Sequence, residues 1–436
     1  MFGLFTPSCP LDLASKTWVE RRMLWFADRF GIDRLRNARV ILPTPEFFPD
    51  EYDADYPSVR HCLDRICGYM GVEPSAITLE ILPDEYMPNA AGWYEMRARS
   101  NVCIAHSQLA DPTRLMATLA HEIAHEILLR GGHLTGQEAD HEQTTDLLPA
   151  FLGVGIFAAN GTIREWTERH GNMSLWWSSR QGYLSSIVHG YAMALFAHAR
   201  GEDDPAWRRH LRTDARKTLA ASLRFLRRTG DSLFTPDTVA GPQRALTAAA
   251  ILERLAARSP TMKLTALWDV IETSPIDPHV LDAVARFLAD RDDTLRASAV
   301  TAVAAFGPAA AGRVPQLLER LGDSVPAVRA AAARALGTLK PLSADVVVEL
   351  ARLLTDRDVS DAAAEALHAY GAGAAPALPK LLDALERALA GQADPALYLS
   401  LLRAISSDPV HELREHFGQR DPDQLRFALR ELKRIS

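Results

Sequence analysis

Cysteine is scarce in this chain. Its 436 residues include four, Cys9, Cys62, Cys67 and Cys103, with no CxxC pair among them. That excludes a small disulfide-stapled fold and suits a reducing compartment. Long hydrophobic runs are also missing. The richest, over 147–159, falls short of the ~20 residues a membrane span needs and reads as a buried helix. Nor is there an excess of basic charge: 48 Lys and Arg stand against 55 Asp and Glu, a formal charge of −7. Nucleic acid is therefore not an expected partner, and neither is a membrane. The first residues, MFGLFTPSCPLDLASK, have no basic start followed by an apolar core, so they do not read as a secretion signal. The expected location is the cytoplasm.

What is present is ordinary soluble composition, 47% hydrophobic and 24% charged, at a length that suits two or three domains. Residues 1–110 mix helical and extended patterns. The stretch SKTWVERRMLWFADRFG places Val19, Met23, Phe26 and Phe30 on one helix side, ended by Gly31. ARVILPTP reads as a short strand stopped by Pro43, SVRHCLDRICGYMG as a second helix and ITLEIL as a strand. The segment 92–109 reads as two strands turning between Ala98 and Asn101. Residues 111–232 read as mainly helical. Gly, Asp and Pro then concentrate over 229–243, which marks a domain boundary, giving domains of 1–235 and 240–436.

The second domain repeats. Segments 290–307, 321–339 and 354–371 align, and each is followed by a second helix: VPQLLERL, VVVELARLL and LPKLLDAL. Arg296 and Arg329 lie 33 residues apart, and Ser360 takes the matching place in the third copy. Two helices per unit at this period predict a stacked α-solenoid rather than an irregular bundle. The phrase L-D-x-x-x-x-VR-x-AA-x-AL-G resembles HEAT repeats over about residues 288–385. Flanking helical stretches read as caps. Solenoids present long surfaces to other proteins, so a protein partner is expected on this array. Each repeated arginine is expected to brace its own repeat through a nearby aspartate.

The chemistry concentrates in LAHEIAHEIL, residues 119–128. Asp111 and Pro112 predict a helix start, and Gly131 and Gly132 a stop. His121 and His125 are i and i+4, so both imidazoles leave one face and can hold one zinc ion. Glu122 lies about 100° round the helix, within reach of a water on the metal. The helix is apolar almost all round, and buried histidines and a buried glutamate are costly unless something satisfies them. A third protein ligand is needed, leaving a fourth position for water. The metzincin pattern fails, because Leu128 and Gly131 stand where it needs glycine and histidine. Downstream, Glu142 and Asp146 share one helix face.

HExxH followed by Glu-x-x-x-Asp resembles the gluzincin metallopeptidases, the thermolysin-like clan. The resemblance implies an α+β zincin-like domain, with a small mixed sheet, an active-site helix and a helical subdomain, ahead of the all-α HEAT-type solenoid. It implies one zinc ion held by His121, His125 and Glu142, with Glu122 as general base. Asp146 would then accept a hydrogen bond from a ligand histidine, His121 being preferred. Glu138 is the rival third ligand. His133 is expected in a loop near the cleft, His141 on the solvent side, and Glu126 as an exposed charge.

The resemblance also implies an oxyanion donor, Tyr or His, from the helical subdomain. Tyr183 and His189 are the candidates, Tyr183 starting a helix after Gly182. Tyr191 sits on an apolar face with Leu184, Ile187, Val188 and Leu195 and reads as core. Strand residues 101–106 are expected to offer a free edge to an extended substrate. Cys9 reads as an idle thiol rather than a cap on the zinc. The expected function is a zinc peptidase acting on a peptide or protein substrate, an endopeptidase for want of any exopeptidase signature. The alternatives are a non-catalytic interaction scaffold and a zinc hydrolase of a non-peptide amide.

Overall fold

Helix α1 (Leu13–Phe30) begins where Asp12 accepts the amide of Ser15 at 2.8 Å and ends at Gly31, whose φ of 82° suits glycine. Its buried side carries Val19, Met23 and Phe26, as their spacing predicts. The computed structural model describes residues 7–88, 90–170, 173–180, 182–234, 246–274, 277–392, 394–418 and 420–435, with backbone only over its second pair of strands. The chain divides into two units, Met1–Arg244 and Ala245–Ser436. The predicted boundary at 229–243 runs up to that division, and its residues 235–243 lie outside the described ones.

In the first unit a short helix α2 (Ile32–Arg36) follows directly. The strand expected over 38–42 does not form. Ile41 donates its amide to the Gly153 carbonyl of a loop at 2.9 Å, and no ladder is built. Helix α3 (Tyr56–Met70) follows, capped by Asp55. Strands β1 (Ile77–Leu82), β2 (Gly92–Glu95) and β3 (Ser100–Ala105) form a mixed sheet in the order β1-β3-β2. β3 runs parallel to β1, with Ile77 opposite Ser100, and antiparallel to β2, with Gly92 opposite Ile104. The free edge expected along 101–106 is therefore not there: β3 is paired on both sides and buried throughout, and His106 has left it for a 3₁₀ turn. The outer strands are β1 and β2.

Helix α4 (Pro112–His125) starts as predicted, with the Asp111 side chain accepting the amides of Thr113 and Arg114. It continues as a π turn over Glu126–Arg130 before Gly131. Leu115, Leu119, Ala120, Ile123 and Ala124 are fully buried where α4 packs on α3, the sheet and the next two helices. These are α5 (His141–Phe151) and α6 (Gly155–Gly161). The single helix expected over 147–159 is thus two. The break follows Pro149 and passes through Gly153, at φ 86°, where a Cβ would stand 2.4 Å from the Arg39 carbonyl oxygen. A hairpin, β4 (Ile163–His170) and β5 (Met173–Arg180), interrupts what reads as an all-helical stretch. Helices α7 (Ser186–Ala199) and α8 (Thr213–Thr229) complete the unit.

The second unit is helical: α9 (Ala248–Ala256), α10 (Pro260–Thr273), α11 (Pro278–Ala285), α12 (Asp293–Ala304), α13 (Val314–Arg320), α14 (Pro326–Leu339), α15 (Ala344–Leu353), α16 (Ser360–Tyr370), α17 (Leu378–Arg387), α18 (Pro395–Ile405), α19 (Pro409–Phe417) and α20 (Pro422–Arg434). The even-numbered helices from α10 to α20 stack in succession, and α11 to α19 pack alongside them, one per repeat. The arginines do more than brace their own repeat. Arg296 reaches both oxygens of Asp323 of the next repeat through two bonds of 3.0 Å, and Arg329 meets Asp356 Oδ2 with Nε at 3.0 Å and Nη2 at 2.8 Å. Each also donates to carbonyls of its own loop, at Asp290 and Asp323 respectively. Among the described residues no helix is long and apolar enough to cross a membrane.

Candidate metal centre

One turn of α4 sets the rings of His121 and His125 4.7 Å apart and nearly perpendicular. Helix α5 brings Glu142 against both: its Oε2 lies 3.2 Å from His121 Nε2 and 3.3 Å from His125 Nε2. Ligands about 2.0–2.1 Å from a tetrahedral zinc stand about 3.3–3.4 Å from one another, so these spacings fit. The donor chemistry agrees. His121 Nδ1 is 2.7 Å from Asp146 Oδ1, a carboxylate that accepts, so Nδ1 carries a hydrogen and Nε2 is the nitrogen turned toward Glu142. Glu142 Oε2 is buried without a hydrogen-bond partner, as is Glu122 Oε2. Two imidazole nitrogens gathered around an unsatisfied carboxylate oxygen are a donor set that suits a cation. Glu138, the rival ligand, is elsewhere, accepting the amide of Thr135.

The surroundings fix these groups. Asp146 Oδ2 accepts the amides of Tyr183 and Leu184 at 2.6 and 3.0 Å, so the aspartate ties α4 to the chain entering α7. Tyr183 stacks on His121 at 5.8 Å, and Tyr94 of β2 stacks on His125 at 5.9 Å. Burial pushes His121 toward its neutral form, but its bond to Asp146 and the Glu142 carboxylate beside it outweigh this and hold its pKa well above the ordinary imidazole value. Burial lowers that of His125. Burial would raise Glu142, yet the two imidazoles hold it far below the usual carboxylate range. Burial pushes Glu122 up to about 7, a value suited to accepting a proton near neutrality.

The cluster opens into a cleft of about 890 Å³. One wall is β2, with Gly92, Trp93 and Tyr94, and another holds Tyr183 and His189. Gly92 passes so close that a Cβ there would stand 2.8 Å from Glu122 Oε1. Tyr183 is half exposed in the loop before α7 rather than starting that helix, which is capped by Ser185. His189 is buried on α7. Tyr191 is core, its hydroxyl donating to Glu20, whereas Ile187 is exposed rather than on that apolar face.

Several expectations are corrected. Glu126 is not an exposed charge. It is 8% exposed and accepts from Tyr94 at 2.6 Å and Ser100 at 2.5 Å, since the π turn directs it under the sheet. His141 is not on the solvent side. It lines the cleft, with Nε2 3.2 Å from Glu142 Oε1. His133 packs edge-on against Phe30 and does not line the cleft. Cys9 lies by Lys16 and Glu20, and burial pushes its thiol up to about 11. The sequence offered one sign of the roles of Glu126 and His141, their adjacency to His125 and Glu142. Their targets come from distant segments.

A family model described as HEAT repeats matches residues 314–406, wholly within the second unit. No curated protein matches the chain. Similar solved structures include an engineered protein, 20% identical, covering 42% of this chain and 94% of its own, at a TM-score of 0.33. A designed armadillo repeat protein is 16% identical, with coverages of 44% and 100% and a TM-score of 0.32. The complex of CpcE and CpcF of phycocyanin lyase from Nostoc sp. is 19% identical, with coverages of 45% and 97% and a TM-score of 0.27. The C-terminal region of this chain is a helical array containing HEAT repeats.

Proposed function

We propose that the first unit is a zinc-dependent peptidase, with His121, His125 and Glu142 as the metal ligands and Glu122 as the general base. One observation carries the reading: two imidazole nitrogens and one carboxylate oxygen converge at the spacing of a three-ligand zinc site beside a buried carboxylate. Held by these three residues, a zinc ion would supply Lewis acidity and make water more acidic. Glu122 takes the proton from the attacking water and hands it to the leaving amine. Asp146 keeps the hydrogen of His121 on Nδ1 and so its Nε2 free for the metal. Tyr183 is the preferred donor to the developing oxyanion because its ring already lies over His121, and His189 is the second candidate. An extended substrate backbone aligns with β2, the outer strand that lines the cleft, in an endopeptidase mode. The HEAT-containing array recruits the protein substrate or a regulator.

The second reading is an interaction scaffold in which the array is the working part. The repeat match over 314–406 favours it, since stacked repeats present extended protein-binding surfaces. Metal analysis of the full chain, with activity of wild type and Glu122→Gln on a peptide library, separates the two. The peptidase reading expects about one zinc per chain in both proteins and a loss of turnover of about 10²–10⁴-fold in the variant. Zinc without cleavage in either protein would leave the scaffold. Cleavage confined to non-peptide amides would make the unit an amidohydrolase of another kind.

A further inference from the structure

Strand β2 has only four residues and pairs on one side alone, from Gly92 opposite Ile104 to Glu95 opposite Asn101. One short ladder fixes its register on β3, and the height of its open edge above α4 has to be set by other contacts. Side chains along a strand alternate in direction. Gly92 faces Glu122, so Tyr94, two residues on, points the same way. Its ring lies over His125, with centroids 5.9 Å apart and planes 21° from parallel. Beyond the ring, the hydroxyl donates to Glu126 Oε2 at 2.6 Å. Glu126 follows His125 in the chain and opens the π turn. Its carboxylate also accepts from Ser100 of β3 and lies 3.3 Å from Arg130 Nε. Arg130, at the end of the same turn, donates to Ser100 Oγ at 2.9 Å and to the Arg97 carbonyl between β2 and β3. The end of the helix that carries both histidines thus grips the sheet. Of these bonds, that of Tyr94 alone starts on β2.

We propose that Tyr94 is a positioning residue for the substrate, a strut that fixes the height of β2 above the histidines. A peptide paired with the open edge of β2 then meets the metal cluster at a set distance. A displacement of about 1 Å can cost about 10²-fold in rate. The inference rests on the zinc peptidase reading above. It also gives the buried carboxylate of Glu126 a task.

Two substitutions separate the strut from the rest of the network. Tyr94→Phe keeps the ring over His125 and removes the bond to Glu126. Ser100→Ala removes a bond to the same carboxylate oxygen from β3 and leaves β2 attached. Amide hydrogen exchange, zinc affinity by chelator competition and steady-state peptide kinetics are measured on the full-length proteins. In Tyr94→Phe, exchange over residues 92–95 is expected to be faster by about 10–100-fold, the effect of losing one hydrogen bond to a charged group, with α4 unchanged. Zinc affinity is expected at the wild-type level, and kcat/KM on extended peptides about 10–100-fold lower. Ser100→Ala is expected to leave exchange over 92–95 near wild type. Unchanged exchange or unchanged kinetics in Tyr94→Phe would overturn the inference while leaving the zinc site standing. So would equal effects of the two substitutions, which would reduce the network to general stability. So would loss of zinc in Tyr94→Phe, which would put its role at His125 rather than at the strand. A wild-type chain that binds no zinc would remove the reading underneath and this inference with it. If Tyr94→Phe does not fold, Glu126→Ala removes the acceptor instead of the donor, with the same expected result and the same results against it.

Discussion

Gly92 shows how little space a single residue leaves around the general base. A Cβ at this position would meet Thr118 Cγ2 at 2.6 Å, Glu122 Oε1 at 2.8 Å and the Cys103 carbonyl oxygen at 3.2 Å. Backbone on one side and a buried helix on the other leave Glu122 as the group that yields. Gly92→Ala is therefore expected to displace the carboxylate and lower kcat/KM by about 10²-fold, with zinc content unchanged. Parallel metal analysis and peptide kinetics check this, and loss of zinc with activity would instead place the fault in the ligands. At this scale the sequence was legible where neighbours are local. The i,i+4 spacing of His121 and His125 follows from helix pitch alone. Glu126 and His141 were misread because their partners, Tyr94 and Ser100 for one and the Glu142 carboxylate for the other, are set by packing and side-chain rotation.

Elements were readable in proportion to their periodicity and capping. α1, α3 and α4 begin at Asp12, Asp55 and Asp111, and their apolar spacings match their buried faces. β4 and β5 were missed because Ser, Arg and Glu dilute their strand signal. In the repeats, the arginine–aspartate bonds cross from one unit to the next. The side chains of Arg296 and Asp323 are 12% and 5% exposed, and the guanidinium holds the carboxyl below its ordinary 3.8. A depressed carboxylate stabilises the fold above its unfolded value, and the contribution disappears as pH falls through the folded one. Arg296→Gln is expected to cost about 1–3 kcal/mol at neutral pH. Urea unfolding from pH 7 to pH 3 should show the gap to wild type closing below the ordinary 3.8. A gap that stays constant down to pH 3 would mean that the pair contributes through packing alone.

For the whole molecule, the division at Arg244 and Ala245 puts the metal cluster in one unit and the repeats in the other. The core of the first unit draws on residues from Leu11 to Phe234. Its ends are joined by a buried network in which Glu20 accepts from Tyr191 and the amide of Leu233, with Lys16 3.0 Å away. Removing residues 245–436 is therefore expected to spare zinc binding and cleavage of short peptides while impairing action on a native protein substrate. Side-by-side assays of the two substrate types test it. Equal loss of both activities would contradict a recruiting role for the array.

The sequence by itself determined the helices, the repeat period and the pair of imidazoles on one face. These depend on spacings of a few residues, or on a period that recurs within one chain. Tertiary structure alone decided that β3 is enclosed between β1 and β2 and that β2 is the edge lining the cleft. It also decided that Glu142 rather than Glu138 meets the histidines, and that Glu126 turns inward. Those outcomes depend on which distant segments share a ladder or a packed face, and sequence spacing does not encode that.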